Sequence, residues 1–308
     1  MSTNKTRVIV VGLGIQGYKR AKVAGKDLIC TVDPINNEAD FKSIYDVPLK
    51  NYDSALLCIP DEPKFDLIYY LLKNKKNVLV EKPVFFNTDK KFKLLEDLAK
   101  KNNICYYTAY NHRFEPHFEE VKKNIESGKL GNIYSIKMFY GNGTARLVKN
   151  SKWRDKGYGV LPDLGSHLLD TINFWIGSNF KKFKVTYSHK FENKSYDNVT
   201  FQSVNSKIQL ICEVSLLSWR NNFNLDIYAE NGTLHVNSLC KWGPSTLTYR
   251  ERILPSGRPK ESSKVLIQDD PTWEKEYKFF KSKSNTYFSN IDNDKYVNKI
   301  LKKLYKEL

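Results

Sequence analysis

A glycine-rich stretch near the start of the sequence has the spacing of a phosphate-binding loop. Gly12, Gly14 and Gly17 form the pattern G-x-G-x-x-G directly after a run of β-branched residues. In such a loop the first glycine permits a tight turn, the second lets a pyrophosphate approach the backbone, and the third lets the next helix pack closely. The first N–H groups of that helix point at the phosphates. This context predicts a dinucleotide site that contains Gly12, Gly14, Ile15, Gln16 and Gly17.

A carboxylate follows at the distance that a nucleotide ribose requires. Asp33 ends the next predicted strand, 21 residues after Gly12. Its side chain can accept hydrogen bonds from the adenosine ribose hydroxyls, and it would repel a 2′-phosphate. Pro34 and Ile35 supply no arginine to compensate for that repulsion. We therefore expect NAD as the cofactor rather than NADP.

A parallel sheet is needed to position this loop. From residue 7 to about residue 111, short apolar runs alternate with stretches of helical periodicity. Such alternation predicts βαβ units whose near-continuous apolar strands are buried on both faces. The predicted strands are 8–12, 28–32, 54–59, 78–80 and 105–109, and the predicted helices include 64–73 and 89–101.

After Phe114 the pattern changes to strands in which apolar and polar residues alternate. Asn231-Gly232 predicts a hairpin that leads into residues 233–236. Antiparallel strands with few helices indicate an open sheet of the α+β kind. The predicted strands are 133–140, 183–189, 198–204, 208–215 and 223–229, and the predicted helices are 116–127, 164–175 and 295–308.

The predicted fold is therefore an α/β Rossmann domain with a parallel, doubly wound sheet, followed by an α+β domain with a large, mostly antiparallel open sheet. We place the dinucleotide-binding domain at residues 1–113 and a domain for substrate binding and oligomerisation at residues 114–285. Residues 286–308 should form a C-terminal helix that packs back on the body, because its apolar stripe needs cover.

Further motifs carry a family resemblance. Glu81-Lys82-Pro83 follows a predicted strand, and Asp163, Gly165, His167 and Asp170 form the pattern D-x-G-x-H-x-x-D. With the glycine loop, these motifs resemble the Gfo/Idh/MocA oxidoreductases, the family of glucose–fructose oxidoreductase and inositol dehydrogenase. The resemblance covers nearly the whole chain and extends to Cys58-Ile59-Pro60, Asn111-His112-Arg113-Phe114, the Gly128–Gly131 turn and Asn231-Gly232-Thr233-Leu234.

The resemblance implies that Lys82, Asp163 and His167 are catalytic in a nicotinamide-dependent dehydrogenase or reductase. Oxidation of an alcohol needs loss of a hydride from carbon and of a proton from oxygen. An imidazole titrates near neutrality, so His167 suits the proton transfer, and Asp163 could orient it. The Lys82 ammonium, at the carboxyl end of a strand, could hold the reacting oxygen. The resemblance also adds residues to the cofactor site, namely Cys58, Ile59, Pro60, Glu81 and Lys82.

Each of these residues has a plainer interpretation when it is taken alone. Lys82 could be a solvated lysine at a strand end, His167 a histidine of a helix interior, and Asp163 a helix N-cap. The sequence also departs from the family at two places. Lys64 stands where the family often has a histidine, and Tyr158 interrupts what is often a run of three glycines.

The sequence does not decide between several classes of substrate. A basic stretch with one tryptophan precedes the catalytic motif, and it could bind a pyrophosphate or a carboxylate. This favours a nucleotide sugar, with a free sugar or polyol as the alternative, although a solvated basic loop explains the stretch equally well. The stretch contains Arg146, Lys149, Lys152, Trp153, Arg154 and Lys156. The candidate substrate-binding residues are Arg113, Arg154, Tyr158, Asp163 and His167.

The charge of the chain raises two other functional classes. The net charge is +16, but lysines spread along the chain supply most of it, since only 9 of the 50 basic residues are arginine. Sequence-specific nucleic-acid binding relies on arginine and on a concentrated basic face, so we expect no nucleic-acid partner. A non-catalytic regulator that binds a dinucleotide on the same fold is the remaining alternative. The complete Lys82, Asp163 and His167 set argues against it.

The cysteines and the apolar runs bear on compartment and assembly. The five cysteines contain no C-x-x-C pair, so we expect reduced thiols and no metal site. We see neither a signal peptide nor an apolar run of about 20 residues, and we expect a cytoplasmic protein without a membrane partner. The outer face of the open sheet needs cover, and therefore we expect a homodimer or homotetramer.

Overall fold

The computed structural model describes residues 6–151, 154–178, 180–284 and 286–308. The chain divides into two compact units. The first comprises residues 1–111 and 272–298, and the second comprises residues 112–271 and 299–308. Residues 272–284, which we expected in the second domain, therefore group with the first. Tyr277 and Phe280 explain this, because they are buried in the core of the first unit.

The first unit holds a six-stranded parallel sheet. Its strands are β1 Val8–Val11, β2 Leu28–Val32, β3 Ser54–Leu57, β4 Asn77–Glu81, β5 Cys105–Ala109 and β14 Phe288–Ser289. They lie in the order β14-β5-β4-β3-β1-β2, so the order reverses between β1 and β3. The crevice at such a switch point, outside the carboxyl ends of the strands, is where ligands bind in open α/β sheets. The predicted Rossmann architecture is confirmed.

The helices of the first unit connect these strands. They are α1 Ile15–Ala24, α2 Asp61–Lys73, α3 Asp89–Lys101 and α7 Thr272–Lys283, and the last helix of the chain, α8 Ile291–Tyr305, begins in this unit. In α3 the buried residues Phe92, Leu95 and Ala99 recur at helical spacing, as the sequence predicted. The last helix begins four residues before its predicted start, and Ile300, Leu301 and Leu304 on its predicted apolar stripe are buried.

The second unit holds an eight-stranded sheet. Its strands are β6 Ile133–Gly141, β7 Phe183–His189, β8 Asn198–Ser203, β9 Gln209–Ser215, β10 Asn222–Ala229, β11 Gly232–Asn237, β12 Ser245–Glu251 and β13 Lys260–Leu266. They lie in the order β13-β12-β11-β10-β6-β9-β8-β7. Neighbouring strands are antiparallel except for β6 and β9, which are parallel. The predicted open, mostly antiparallel sheet is therefore confirmed.

The helices of the second unit are α4 Pro116–Glu126, α5 Ala145–Lys149 and α6 Ser166–Ile176. A π-helical turn, Leu161–Gly165, precedes α6 where the sequence predicted an ordinary helix start. Pro162 lies in this turn and has no N–H to donate, which disfavours regular α-helical bonding there. Single π-turns of this kind occur frequently at functional sites.

The predicted hairpin forms, but its turn is one residue earlier than expected. Strand β10 ends at Ala229 and β11 begins at Gly232, so Glu230 and Asn231 make the turn. Gly232 is needed inside the strand, because a Cβ there would lie 2.3 Å from the carbonyl oxygen of Arg250. The backbone of the neighbouring strand thus decides the position of this glycine.

All five cysteines are free thiols, and four of them are buried. Burial raises the pKa of each of these thiols, which keeps them protonated and unreactive. None of the described helices is long and apolar enough to cross a bilayer.

Candidate functional site

The glycine loop follows β1 at the switch point of the first sheet. Gly12 has a φ of +92°, and a Cβ there would lie 2.3 Å from the carbonyl oxygen of Cys58. A Cβ on Gly17 would lie 1.8 Å from the carbonyl oxygen of Gly12. Both glycines therefore allow the loop and α1 to pack against the ends of β1 and β3. Gly14, Ile15 and Gln16 are exposed at the start of α1.

Gly14 differs from its two neighbours in the loop. A Cβ on Gly14 would meet no atom within 4 Å, and its φ of −80° suits any residue. The fold itself therefore does not require a glycine there. A diphosphate that approaches the backbone at the start of α1 would require one.

This difference gives a test of the cofactor site. We expect Gly14→Ala to unfold at the same temperature as the wild type but to bind NADH at least about tenfold more weakly, or about 1.4 kcal/mol. Isothermal titration calorimetry measures the affinity, and a melting curve of the same sample measures stability. Unchanged NADH affinity would place the diphosphate elsewhere.

Asp33 is held by the backbone at the end of β2. Its Oδ2 accepts a hydrogen bond from Leu13 N at 2.7 Å, and its Oδ1 accepts from Ile35 N and Asn36 N at 2.8 Å. Partial burial by itself would raise the pKa of Asp33, but the bonds from Asn36, Leu13 and Ile35 outweigh it and lower the pKa. The carboxylate is therefore ionised at neutral pH. Oδ2 retains one acceptor position, which fits a ribose hydroxyl and not a phosphate.

The Glu81-Lys82-Pro83 motif lies at the carboxyl end of β4. Arg20 of α1 binds Glu81 Oε1 through Nε and Nη2 at 2.8 Å, and its Nη2 lies 2.7 Å from Oε2 of Glu276. Arg20 and Glu276 are fully buried. Glu81, which we predicted at the cofactor site, is thus tied into an ion-pair network with α1 and α7. The network fixes the strand end that carries Lys82.

A second buried cation fixes the other side of the motif. Lys64 of α2 is 3% exposed, and its Nζ donates to the carbonyl oxygen of Pro83 at 2.6 Å and to Asp61 Oδ1 at 2.7 Å. In the sequence, Lys64 is distinguished only as a departure from the family pattern. Its contact shows that it braces the backbone one residue after Lys82.

In the second unit, His167 is buried near the start of α6 among aromatic rings. Its ring stacks on that of His112, with centroids 4.0 Å apart and an angle of 19° between the planes. Tyr140 of β6 meets both imidazoles edge-on, at 5.2 Å from His112 and 5.8 Å from His167. Burial raises the pKa of Tyr140, and the charge of Asp163 raises it further, so the phenol stays protonated.

Asp163 lies in the π-helical turn, four residues before His167. Arg154 approaches it, with Nη2 at 3.4 Å from Oδ2. Two of the predicted substrate residues, Arg154 and Asp163, are thus brought together. The neighbouring Lys152 and Trp153 of the predicted basic stretch lie outside the described residues.

Tyr158 and Arg113, two other predicted substrate residues, already contact protein groups. The ring of Tyr158 stacks on Tyr305 of α8 at 3.5 Å. Arg113 Nε donates to both oxygens of the buried Asp170 at 3.0 Å, and Nη2 donates to Oδ1 at 2.5 Å. This bidentate ion pair holds the segment after β5 against α6. A role of Arg113 or Tyr158 in substrate binding stays a prediction.

The described residues of the second unit include the walls of open clefts. One, of about 390 Å³, is lined by Gly143, Thr144, Trp219, Arg220, Asn221 and Trp242. Trp242 also stacks on Tyr140 at 5.7 Å, so a single ring separates the wall of this cleft from His167. Another cleft, of about 760 Å³, lies among residues of the β10–β11 turn, β12, β13 and their neighbours, many of them charged, and none of the predicted catalytic residues lines it.

Comparison with known proteins identifies the family. Residues 6–109 match the oxidoreductase family with an NAD-binding Rossmann fold, and residues 118–235 match the GFO/IDH/MocA C-terminal domain. The chain belongs to the Gfo/Idh/MocA oxidoreductase family. The predicted family, its NAD-binding domain and NAD as its cofactor are thereby confirmed.

Curated relatives in this family match only part of the chain. The chain is 25% identical over 195 residues to scyllo-inositol 2-dehydrogenase (NAD(+)) of Bacillus subtilis, covering 57% of this chain and 55% of that protein. It is 33% identical over 123 residues to an uncharacterized oxidoreductase of Schizosaccharomyces pombe, covering 39% and 32%. The alignments thus span about a third to a half of these relatives.

A solved structure extends the likeness to the whole fold. Levoglucosan dehydrogenase in complex with NADH matches with a TM-score of 0.79 at 18% identity, covering 98% of this chain and 97% of that chain. At this identity the match shows that the two proteins share the Gfo/Idh/MocA fold.

The predicted catalytic residues are divided between the two units of this family fold. Lys82 belongs to the first unit, and Asp163 and His167 belong to the second. His112 and Tyr140, which contact His167 directly, were not predicted as site residues. His112 is part of the Asn111-His112-Arg113-Phe114 motif that carried the resemblance, whereas no sequence signal marks Tyr140.

One further cluster bears on the prediction that no metal is bound. Glu115, Cys240 and Asp270 place one potential ligand atom each within 4.8 Å of one another. Glu115 Oε2 already accepts a hydrogen bond from Cys240 N at 3.2 Å. Burial raises the pKa of Glu115, which weakens it as a ligand. The absence of a metal site stays a prediction.

Proposed function

We propose that this protein is an NAD-dependent dehydrogenase that oxidises a secondary alcohol of a free sugar or polyol, or reduces the corresponding ketone. The observation that carries the proposal is His167, an imidazole buried near the start of α6 and separated by the ring of Tyr140 from the wall of an open cleft, in a chain with an NAD-binding domain. An imidazole suits a general acid and base.

Three residues carry the proposed chemistry. NAD, held at the glycine loop and Asp33, would supply the hydride acceptor for the alcohol carbon. His167 takes the proton that leaves the alcohol oxygen, and Asp163 favours the resulting imidazolium charge. Lys82 holds the same oxygen through its ammonium and stabilises negative charge that develops there. In the reverse direction His167 returns the proton to the oxygen.

The cleft beside Trp242 supports a sugar as the substrate. Trp219 and Trp242 offer aromatic faces, on which the C–H face of a sugar ring packs, and Thr144 and Asn221 offer hydrogen-bonding groups. A volume of about 390 Å³ is at the small end of ligand pockets. It suits a free sugar better than a nucleotide sugar. Two of the proteins named above are a dehydrogenase of scyllo-inositol and a dehydrogenase of levoglucosan.

A substrate panel tests the proposal. NAD reduction at 340 nm would be followed with scyllo-inositol, myo-inositol, levoglucosan, glucose 6-phosphate and UDP-glucose. We expect turnover with at least one free sugar or polyol, and its loss by at least about 100-fold in His167→Asn. Turnover with UDP-glucose alone would restore the nucleotide-sugar alternative. NADH binding without turnover on any of these compounds would favour the non-catalytic regulator.

The expected assembly and partners stay predictions. Alternate residues of the second sheet remain exposed, among them Tyr134, Tyr187 and Tyr228, which is consistent with a face that a second subunit covers. We retain the homodimer or homotetramer, the cytoplasmic location and the lack of a nucleic-acid partner as predictions.

A further inference from the structure

The imidazoles of His112 and His167 form a buried stack in the second unit. His112 is 2% exposed and His167 is 6% exposed, and their ring centroids are 4.0 Å apart. The planes are nearly parallel, so neither ring can donate a hydrogen bond to the other across the stack. Two positive charges at this separation in a buried site repel strongly, since little water screens them.

We propose that His112 and His167 form a coupled pair that holds at most one proton at physiological pH, so that His112 governs when His167 can act as a base. His112 is thereby a positioning residue, and this part of the inference rests on the proposed function. His167 can accept the alcohol proton only while His112 is neutral. A proton on His112 therefore prevents His167 from accepting the alcohol proton, although His112 itself does not contact the substrate.

The groups around the pair bear on its titration. Tyr140 of β6 meets both rings, and Phe118 of α4 meets His112 at 6.0 Å. Asp163, Glu115 and Asp270 are negative charges that act on Tyr140, the residue that meets both rings. Arg113 and Asp170 neutralise each other beside the pair, and Arg154 partly offsets Asp163.

A comparison of pH titrations of the wild type and of two single variants separates the repulsion between the two imidazoles from the effect of the surrounding charges. Two imidazoles that repel each other when both are protonated titrate at lower pH together than separately. The sum of their two titration midpoints is therefore lower than the sum of the midpoints that each imidazole shows when its partner cannot be charged. Phenylalanine preserves a planar ring in the stack and cannot be charged. His112→Phe therefore reports His167 alone, His167→Phe reports His112 alone, and the other groups stay the same.

The experiment is a pH titration of the imidazole C–H signals by NMR in the full-length protein. The chain has only five histidines, so the signals can be assigned by substitution. We expect the sum of the titration midpoints of His112 and His167 in the wild type to be at least one pH unit lower than the sum of the two midpoints in the single variants. A difference of one pH unit corresponds to a tenfold coupling between the two protonations. His235, which contacts Asp226, serves as the internal control and should not shift.

Independent midpoints, with equal sums in the wild type and the variants, would overturn the proposal. If His112→Phe does not fold, as judged by the His235 signal, His112→Gln replaces it under the same criterion. The measurement needs no substrate, so its outcome is distinct from that of the substrate panel. Where turnover exists, the acid limb of kcat/KM should fit two ionisations in the wild type and one in His112→Phe.

Discussion

Replacement of Lys82 by methionine is expected to lower kcat about 1,000-fold, a far larger effect than its change in the affinity for NADH. In the proposed function the ammonium holds the reacting oxygen and stabilises charge that develops on it. The loss of one preorganised donor of this kind typically costs a factor of 100 to 1,000 in kcat, or about 2.7–4 kcal/mol. Methionine keeps most of the side-chain volume, so the loss is one of charge.

Steady-state assays on the best substrate of the panel would measure this effect, with fluorescence titration for NADH. Lys73→Met is the matched control, because Lys73 is exposed at the end of α2 and should retain wild-type kcat. A Lys82→Met enzyme with kcat within threefold of the wild type would remove Lys82 from the proposed catalytic set.

Arg20→Met is expected to have the largest effect on stability, about 3–5 kcal/mol. Arg20 is buried between Glu81 and Glu276, at 2.8 Å and 2.7 Å, and its guanidinium lies over the ring of Trp273. Burial by itself would lower the pKa of Arg20, but the charges of Glu81 and Glu276 raise it. Removal of the cation leaves buried carboxylates without compensation, and breaking a buried ion pair typically costs this amount.

The stability lost in Arg20→Met should increase with pH, because the pKa of Glu276 is raised in the folded state. Burial raises the pKa of Glu276 to about 7, although Arg20 opposes it. Without Arg20 the pKa rises further. The folded variant then holds a proton that the unfolded chain has released, and its stability falls as the pH rises toward that pKa. The difference from the wild type should widen by about 1 kcal/mol between about pH 6 and about pH 8.

Urea unfolding at both pH values would measure this effect. The double variant Arg20→Met/Glu276→Gln should lose the pH-dependent part, because the amide cannot titrate. Arg7→Met is a second control: its partner Asp53 is half-exposed, so water screens the pair and the loss should be much smaller. A small, pH-independent loss in Arg20→Met would show that the network does not stabilise the fold.

Local patterns in the sequence determined the fold class and the cofactor loop. Buried parallel strands need near-continuous apolar runs, and this signal predicted β2 and β5 with the bounds that the structure has. The glycine loop was predictable because close backbone approach leaves room for no other residue at Gly12 and Gly17. Strand β13, by contrast, was missed, since it is exposed along almost its whole length and has no apolar alternation to detect.

Only the tertiary structure decided which side chains meet. Arg113 was a candidate for substrate binding by its type and motif, yet the fold places the buried Asp170 against it. His112 stacks on His167, and Lys64 reaches Pro83, because the topology brings together segments that are far apart in sequence. The grouping of α7 with the first unit is of the same kind. Residue type and spacing show which chemistry a chain can perform, whereas the partner of each charge depends on long-range packing that no local pattern encodes.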